Sequence, residues 1–199
     1  MTEIIQQSIE KSIDYDAYRR IIESLLSQGK STGNHQTEAL YNYSKLNHAR
    51  MNRLDKKIVL SKTTIDAIAS VKAPQKWVVI SEGWCGDAAQ ALPILYKMSE
   101  VSDLIELRIV LRDENEALMN LFLTNGSQSI PKLIILDTQD EVLSSWGPRP
   151  STATKMVTEY KELHGTLDDH FKKELQLWYN KDKGRTLQQD ICDLIDRLY

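Results

Sequence analysis

The segment Trp84-Cys85-Gly86-Asp87-Ala88 concentrates the chemistry of this sequence. It lies between a short apolar run, Trp77–Ile80, and a helical one, Ala88–Met98, so it reads as a strand-to-helix turn. A thiol at that place meets the free N–H groups and positive dipole end of the helix, which lower a cysteine pKa. Its thiolate could attack a disulfide. Asp87 complements the same dipole, but its charge opposes the thiolate, so arginines nearby would have to compensate.

Hydrophobic spacing supplies the elements around the turn. Residues 1–72 read as helical: Tyr18, Ile21, Ile22, Leu25 and Leu26 recur up to Gly29, then Ala39, Leu40, Tyr43, Leu46 and Met51, then Thr63 to Val71. Beyond Ala73-Pro74 come a strand (Trp77–Ile80), a helix containing Pro93, a strand (Leu104–Leu111) and a helix (Glu114–Leu123). Lys132–Leu136 and Val142–Ser145 form a hairpin about Asp137–Asp140, and Ala153–Leu163 is helical. The order β-α-β-α-β-β-α implies a parallel pair, then an antiparallel hairpin, with helices over the sheet. Leu167–Tyr179 and Leu187–Leu198 are further helices about the charged turn Asn180–Arg185. The expected organisation is a helical extension (1–60), an α/β domain (61–165) and a C-terminal helical extension (166–199). Neither extension has enough apolar residues for a core of its own.

Both parallel strands end on one edge of the sheet, where ligands of α/β proteins usually bind. Cys85 follows the first strand, and Arg112, Asp113 and Glu114 follow the second. Ile130-Pro131 opens the antiparallel strand on that edge, and Trp146-Gly147-Pro148-Arg149 closes its partner. The candidate site is therefore Cys85 as nucleophile, supported by Trp84, Gly86, Asp87, Arg112, Glu114, Ile130, Pro131, Trp146 and Arg149. The arginines either pair with these carboxylates or contact an anionic substrate.

These residues resemble thioredoxins, which carry Trp-Cys-Gly-Pro-Cys, a proline in the following helix, an Ile-Pro dipeptide facing the cysteine, and a glycine after a hairpin. The matching residues here are Trp84-Cys85-Gly86, Pro93, Ile130-Pro131 and Gly147. The blocks WCGDAAQ, LRDEN, SIPKLI and WGPRP, with the helical N-terminal extension, are most similar to a group of bacterial cytoplasmic thioredoxin-family proteins. The resemblance implies a thioredoxin-like α/β fold of four to five mixed strands with extra N- and C-terminal helices. It also implies a cis bond before Pro131 and a backbone at Ile130 that holds an extended substrate. Two departures stand out: Ala88 replaces the second cysteine, and Val79 replaces the buried aspartate that deprotonates it. A dithiol cycle within the motif is thus not expected.

Composition bounds the rest. The 199 residues, 41% hydrophobic and 27% charged, suit a globular domain with additions. A net charge of −3 gives no electrostatic footprint for nucleic acid and no attraction to anionic membranes. The N-terminus lacks the features of a secretory signal, and two distant cysteines, Cys85 and Cys192, suit a reducing cytoplasm. Three acidic neighbours, Asp190, Asp193 and Asp196, disfavour a thiolate at Cys192, which reads as a packing residue, with a distant resolving thiol as the alternative. The histidines show no ligand spacing, so neither metal nor cofactor is expected. The basic stretch Lys45–Lys57 is a solvated face or a cover over the cysteine edge.

Three functions follow. The first is a single-cysteine thiol–disulfide oxidoreductase whose partner is a protein or low-molecular-weight thiol or disulfide. The second is a binding module or redox sensor that keeps the groove and has lost the catalysis. The third, glutaredoxin-like binding of glutathione or an iron–sulfur cluster, fits less well, because Gly-Asp-Ala follows the cysteine.

Overall fold

Residues 1–199 are described by a computed structural model. In chain order it contains α1 (Thr2–Glu10), α2 (Tyr15–Ser27), α3 (Glu38–Lys57), α4 (Lys62–Ala69), β1 (Gln75–Ser81), α5 (Gly86–Ser99) and β2 (Ile105–Leu111). There follow α6 (Glu116–Leu121), β3 (Lys132–Leu136), β4 (Val142–Trp146), α7 (Ser151–His164), α8 (Asp169–Asp182) and α9 (Arg185–Asp196). Side chains that accept a backbone N–H start several helices: Asp14 on α2, Thr37 on α3, Ser61 on α4 and Asp168 on α8.

The four strands lie in the order β2-β1-β3-β4. β1 pairs parallel with β2 and antiparallel with β3, so Val79 stands between Ile109 and Leu133. Trp77, Val78, Val79 and Ile80 are all buried, which suits a central strand covered on both faces. The strand sequence thus has the mixed thioredoxin-like arrangement expected, with four strands. Between β2 and β3 the expected helix is shorter. A 3-10 turn occupies Arg112–Glu114, and α6 starts only after Asn115, whose side chain donates to the Leu111 carbonyl at 2.9 Å. An asparagine that bonds its own backbone competes with helix formation.

The N-terminal Ile5, Tyr15, Tyr18, Ile22 and Met51, and the C-terminal Leu187, Ile191, Leu194 and Ile195, share one 36-residue apolar core with the sheet. The apolar residues of α7 and α8 cluster separately from it, although α7 also packs on α9. Ala153, Val157, Phe171, Leu175 and Tyr179 form a separate cluster, with Met156, Tyr160, Leu167 and Trp178 around it. A further strand-like contact closes one sheet edge: Ile13 and Ile109 exchange both backbone hydrogen bonds, at 2.9 and 2.8 Å.

Candidate functional site

Cys85 is the N-cap of α5. Its sulfur accepts from the Ala88 N–H at 3.4 Å, and its thiol donates to the Ile130 carbonyl at 3.2 Å. The Ile130–Pro131 and Gly147–Pro148 peptide bonds are both cis. The helix-start position argues for a lowered thiol pKa, but the surroundings reverse it. Cys85 is only 8% exposed, and burial and then the Asp87 charge push its pKa up to about 12. The Ala88 and Asp87 N–H groups and Arg149 pull the other way, too weakly to win.

Asp87 is buried beside this thiol. Its carboxylate pairs with Arg149 Nη2 at 2.6 Å and accepts from the Tyr179 hydroxyl at 2.8 Å. Burial still raises its pKa, against Arg149 and Tyr179. Two helices outside the sheet stand over the same turn. From α3, Asn47 donates to the Gly83 carbonyl at 3.0 Å and accepts from Arg50 at 2.8 Å. From α8, Gln176 accepts from Gln90 at 2.9 Å, and Asn180 accepts from Arg53 at 2.7 Å. A Cβ added at Gly86 would lie 3.7 Å from both Arg50 Nη1 and Gln176 Nε2, so α3 and α8 meet above it. Part of the basic stretch Lys45–Lys57 therefore covers the cysteine edge.

Trp84 and Arg112 belong to a second group. The Arg112 guanidinium lies 4.8 Å above the Trp84 ring and bonds the Asp113 carboxylate at 2.8 and 3.0 Å. Burial works against ionising Asp113, yet Arg112 and the Asn34 N–H hold its carboxyl below the usual carboxylate range. Thr32 Oγ1 accepts from the Gly83 N–H at 2.8 Å, so the segment between α2 and α3 is stitched to the turn. Arg112 is thus bound to Asp113 and Trp84 rather than aimed at the thiol. Glu114 is exposed and lines a separate cavity with Lys11, Ile13 and Ser31, with no bond to Cys85 or Asp87. Trp146 is buried and donates to Asp190 on α9 at 3.2 Å. Cys192 is a free thiol on α9 beside Thr64 of α4, and no disulfide joins it to Cys85.

Sequence reasoning missed three contributors. Tyr179 ends a buried i,i+4 stripe, Phe171, Leu175, Tyr179, where a phenol needs a partner; that was the only signal for it. Gln176, one turn closer to the N-terminus, carried none. Glu82, directly after β1, is fully buried; its Oε1 accepts from the Asp113 N–H at 3.0 Å and its Oε2 has no partner. Burial raises its pKa beyond what the nearby Thr32 hydroxyl and the Asp113 N–H offset. A raised carboxyl pKa stabilises the fold below the unfolded-state value and loses that contribution as pH climbs through the folded one. Glu82→Gln keeps the acceptor and removes the charge. It should therefore be more stable than wild type by about 1 kcal/mol at pH 8, the difference shrinking towards pH 4. Urea midpoints at the two pH values measure this.

Compared with known proteins, the sequence matches the family described as Thioredoxin over residues 33–161, more than half of its length. The chain belongs to the thioredoxin family. Among solved structures it is similar to a protein of unknown function from Pseudomonas aeruginosa, with 14% identity, a TM-score of 0.63 and 96% of each chain covered. It is also similar to a scaffold carrying an HIV epitope, with 18% identity, a TM-score of 0.57, and 87% of this chain and 96% of that one covered. At these identities the likeness is one of fold. No curated protein matches the sequence. The thioredoxin match spans α3 to α7 and so includes the Cys85 turn, Ile130-Pro131 and Arg149, but not Tyr179. No helix is long and apolar enough to cross a membrane.

Proposed function

We propose that this thioredoxin-fold protein works through one thiol, with Cys85 forming and releasing mixed disulfides. The observation that carries the reading is the seat of the sulfur. It caps α5 within hydrogen-bond reach of the Ala88 N–H and of the Ile130 carbonyl, while alanine stands where a second motif cysteine would be. Deprotonated Cys85 attacks a protein or small-molecule disulfide; its sulfur bonds one half, and the other half leaves as a thiolate that takes up a proton. An outside thiol then attacks the mixed disulfide, regenerating Cys85 and carrying away the bound half as a new disulfide. A reducing cytoplasm supplies such thiols. Asp87, Arg149 and Tyr179 fix the charge beside the sulfur, and Trp84 and the Ile130-Pro131 segment border the approach.

The high thiol pKa favours a second reading, a binding module or redox sensor with the thioredoxin groove and no turnover. Two measurements in a Cys192→Ser background test the site, and the second separates the readings. Alkylation of Cys85 is expected to keep rising with pH beyond 9, towards a midpoint near 12, because the closed site holds the thiol protonated. Incubation with oxidised glutathione is expected to add one glutathione by mass, and Cys85→Ser to add none. Absence of the adduct, with partner capture surviving Cys85→Ala, rejects the thiol reading and leaves the binding module.

A further inference from the structure

The α7–α8 hairpin has a construction unlike the rest of the molecule. Its apolar residues pack on one another in their own cluster instead of joining the main core. Its two bases sit side by side. Ser151, at the start of α7, bonds Asp190 of α9 through both its N–H and its hydroxyl, at 2.8 and 2.7 Å. At the end of α8, Lys183 and Gly184 turn the chain in the left-handed region, and Gly184 abuts Ile94 of α5 so closely that a Cβ would lie 2.4 Å away. Between these bases, α8 reaches the body through polar side chains: Tyr179 to Asp87, Gln176 to Gln90 and Asn180 to Arg53. The first two end on the first turn and a half of α5, the helix that Cys85 caps. The Gln90–Gln176 bond is neutral and contributes little net stability, because water replaces it when it breaks, whereas the bonds to Asp87 and Arg53 are charge-assisted and hold the hairpin more firmly.

We infer that the α7–α8 hairpin is a flap closed over the Cys85 turn, latched by Tyr179 and Gln176, and that its opening admits substrate to the thiol. The inference rests on the thiol reading of Cys85 and adds its regulation. With the flap shut, Cys85 is 8% exposed and Gln176 stands over Gly86, so a disulfide has no approach. A self-contained apolar cluster lets the hairpin move as a unit, without dissolving its own packing. Arg149 lies just before the α7 base and remains with Asp87 when Tyr179 leaves, so the turn keeps a paired carboxylate in the open state.

The test uses the full chain with Cys192→Ser. Tyr179→Phe combined with Gln176→Ala removes two latch bonds and keeps the ring in its cluster. At fixed pH, Cys85 should then be alkylated at least roughly tenfold faster, as expected for losing one neutral and one charge-assisted hydrogen bond. Backbone hydrogen exchange should quicken along α8 while β1 and α5 stay protected. Gln176→Ala alone touches neither Asp87 nor the apolar cluster. It should give a smaller rise of the same kind, and it serves where the double variant fails to fold. An unchanged alkylation rate, or faster exchange spread through β1 and α5, overturns the flap. Faster alkylation without any glutathione adduct supports the flap and rejects the disulfide chemistry.

Discussion

Gly147→Ala is expected to destabilise the protein by about 3 kcal/mol or more and to disturb the cysteine site with it. Gly147 has φ +116°, and a Cβ there would lie 2.3 Å from the Pro131 carbonyl oxygen and 3.5 Å from the Lys132 Cα. Those atoms are backbone of β3 and its entry, so no side chain can swing aside. The displaced segment includes the Ile130 carbonyl that receives the Cys85 thiol. Thermal unfolding should show the loss, and the alkylation rate of Cys85 should change alongside. Gly86→Ala is the control. Its nearest neighbours are the side-chain ends of Arg50 and Gln176 at 3.7 Å, an ordinary van der Waals distance, so its melting temperature should stay close to wild type.

The second large effect comes from Arg149. Arg149→Leu leaves the Asp87 carboxylate buried with the Tyr179 hydroxyl as its direct partner, and breaking such a pair from one side costs about 3–5 kcal/mol. Burial already raises the Asp87 pKa with Arg149 present, and removing the arginine raises it further. A carboxyl raised in the folded state weakens the fold as pH climbs past its unfolded value. The variant should therefore lose more stability at pH 8 than at pH 4. Adding Asp87→Asn removes the stranded charge and should recover part of the loss, and a double-mutant cycle by urea unfolding measures that coupling. A loss independent of pH would show that Arg149 acts through packing alone.

The parallel pair and the antiparallel hairpin were readable because β1, β2 and β3 carry apolar runs bounded by turn residues, but that β1 stands between β2 and β3 was not. The grouping of Cys85, Asp87, Pro131, Trp146 and Arg149 at one edge followed from strand direction alone. The electrostatics did not follow. A helix start argues for an acidic thiol, but the burial that overrides it is imposed by residues far along the chain. Tyr179, 92 residues from Asp87, is one of them. Arg112 and Glu114 show the limit of the same reasoning. Position at a strand end assigns a residue to an edge and leaves open which way its side chain turns; Asp113 and Trp84 claim Arg112, and Glu114 faces another cavity. The helix after β2 starts later than its apolar pattern predicts for a local reason, the Asn115 side chain bonding the Leu111 carbonyl.

The exchange of hydrogen bonds between Ile13 and Ile109 has a consequence for how this protein can meet others. β2 is an outer strand, and an outer strand with free N–H and C=O groups invites pairing with a foreign chain. The segment between α1 and α2 occupies the middle of that ladder, so the β2 side is blunted from within. β4, at the opposite border, has no such guard, and its Leu143 is exposed. The sheet is therefore more open to lengthening at β4 than at β2. Recognition by strand addition, or ordered aggregation, would begin at β4.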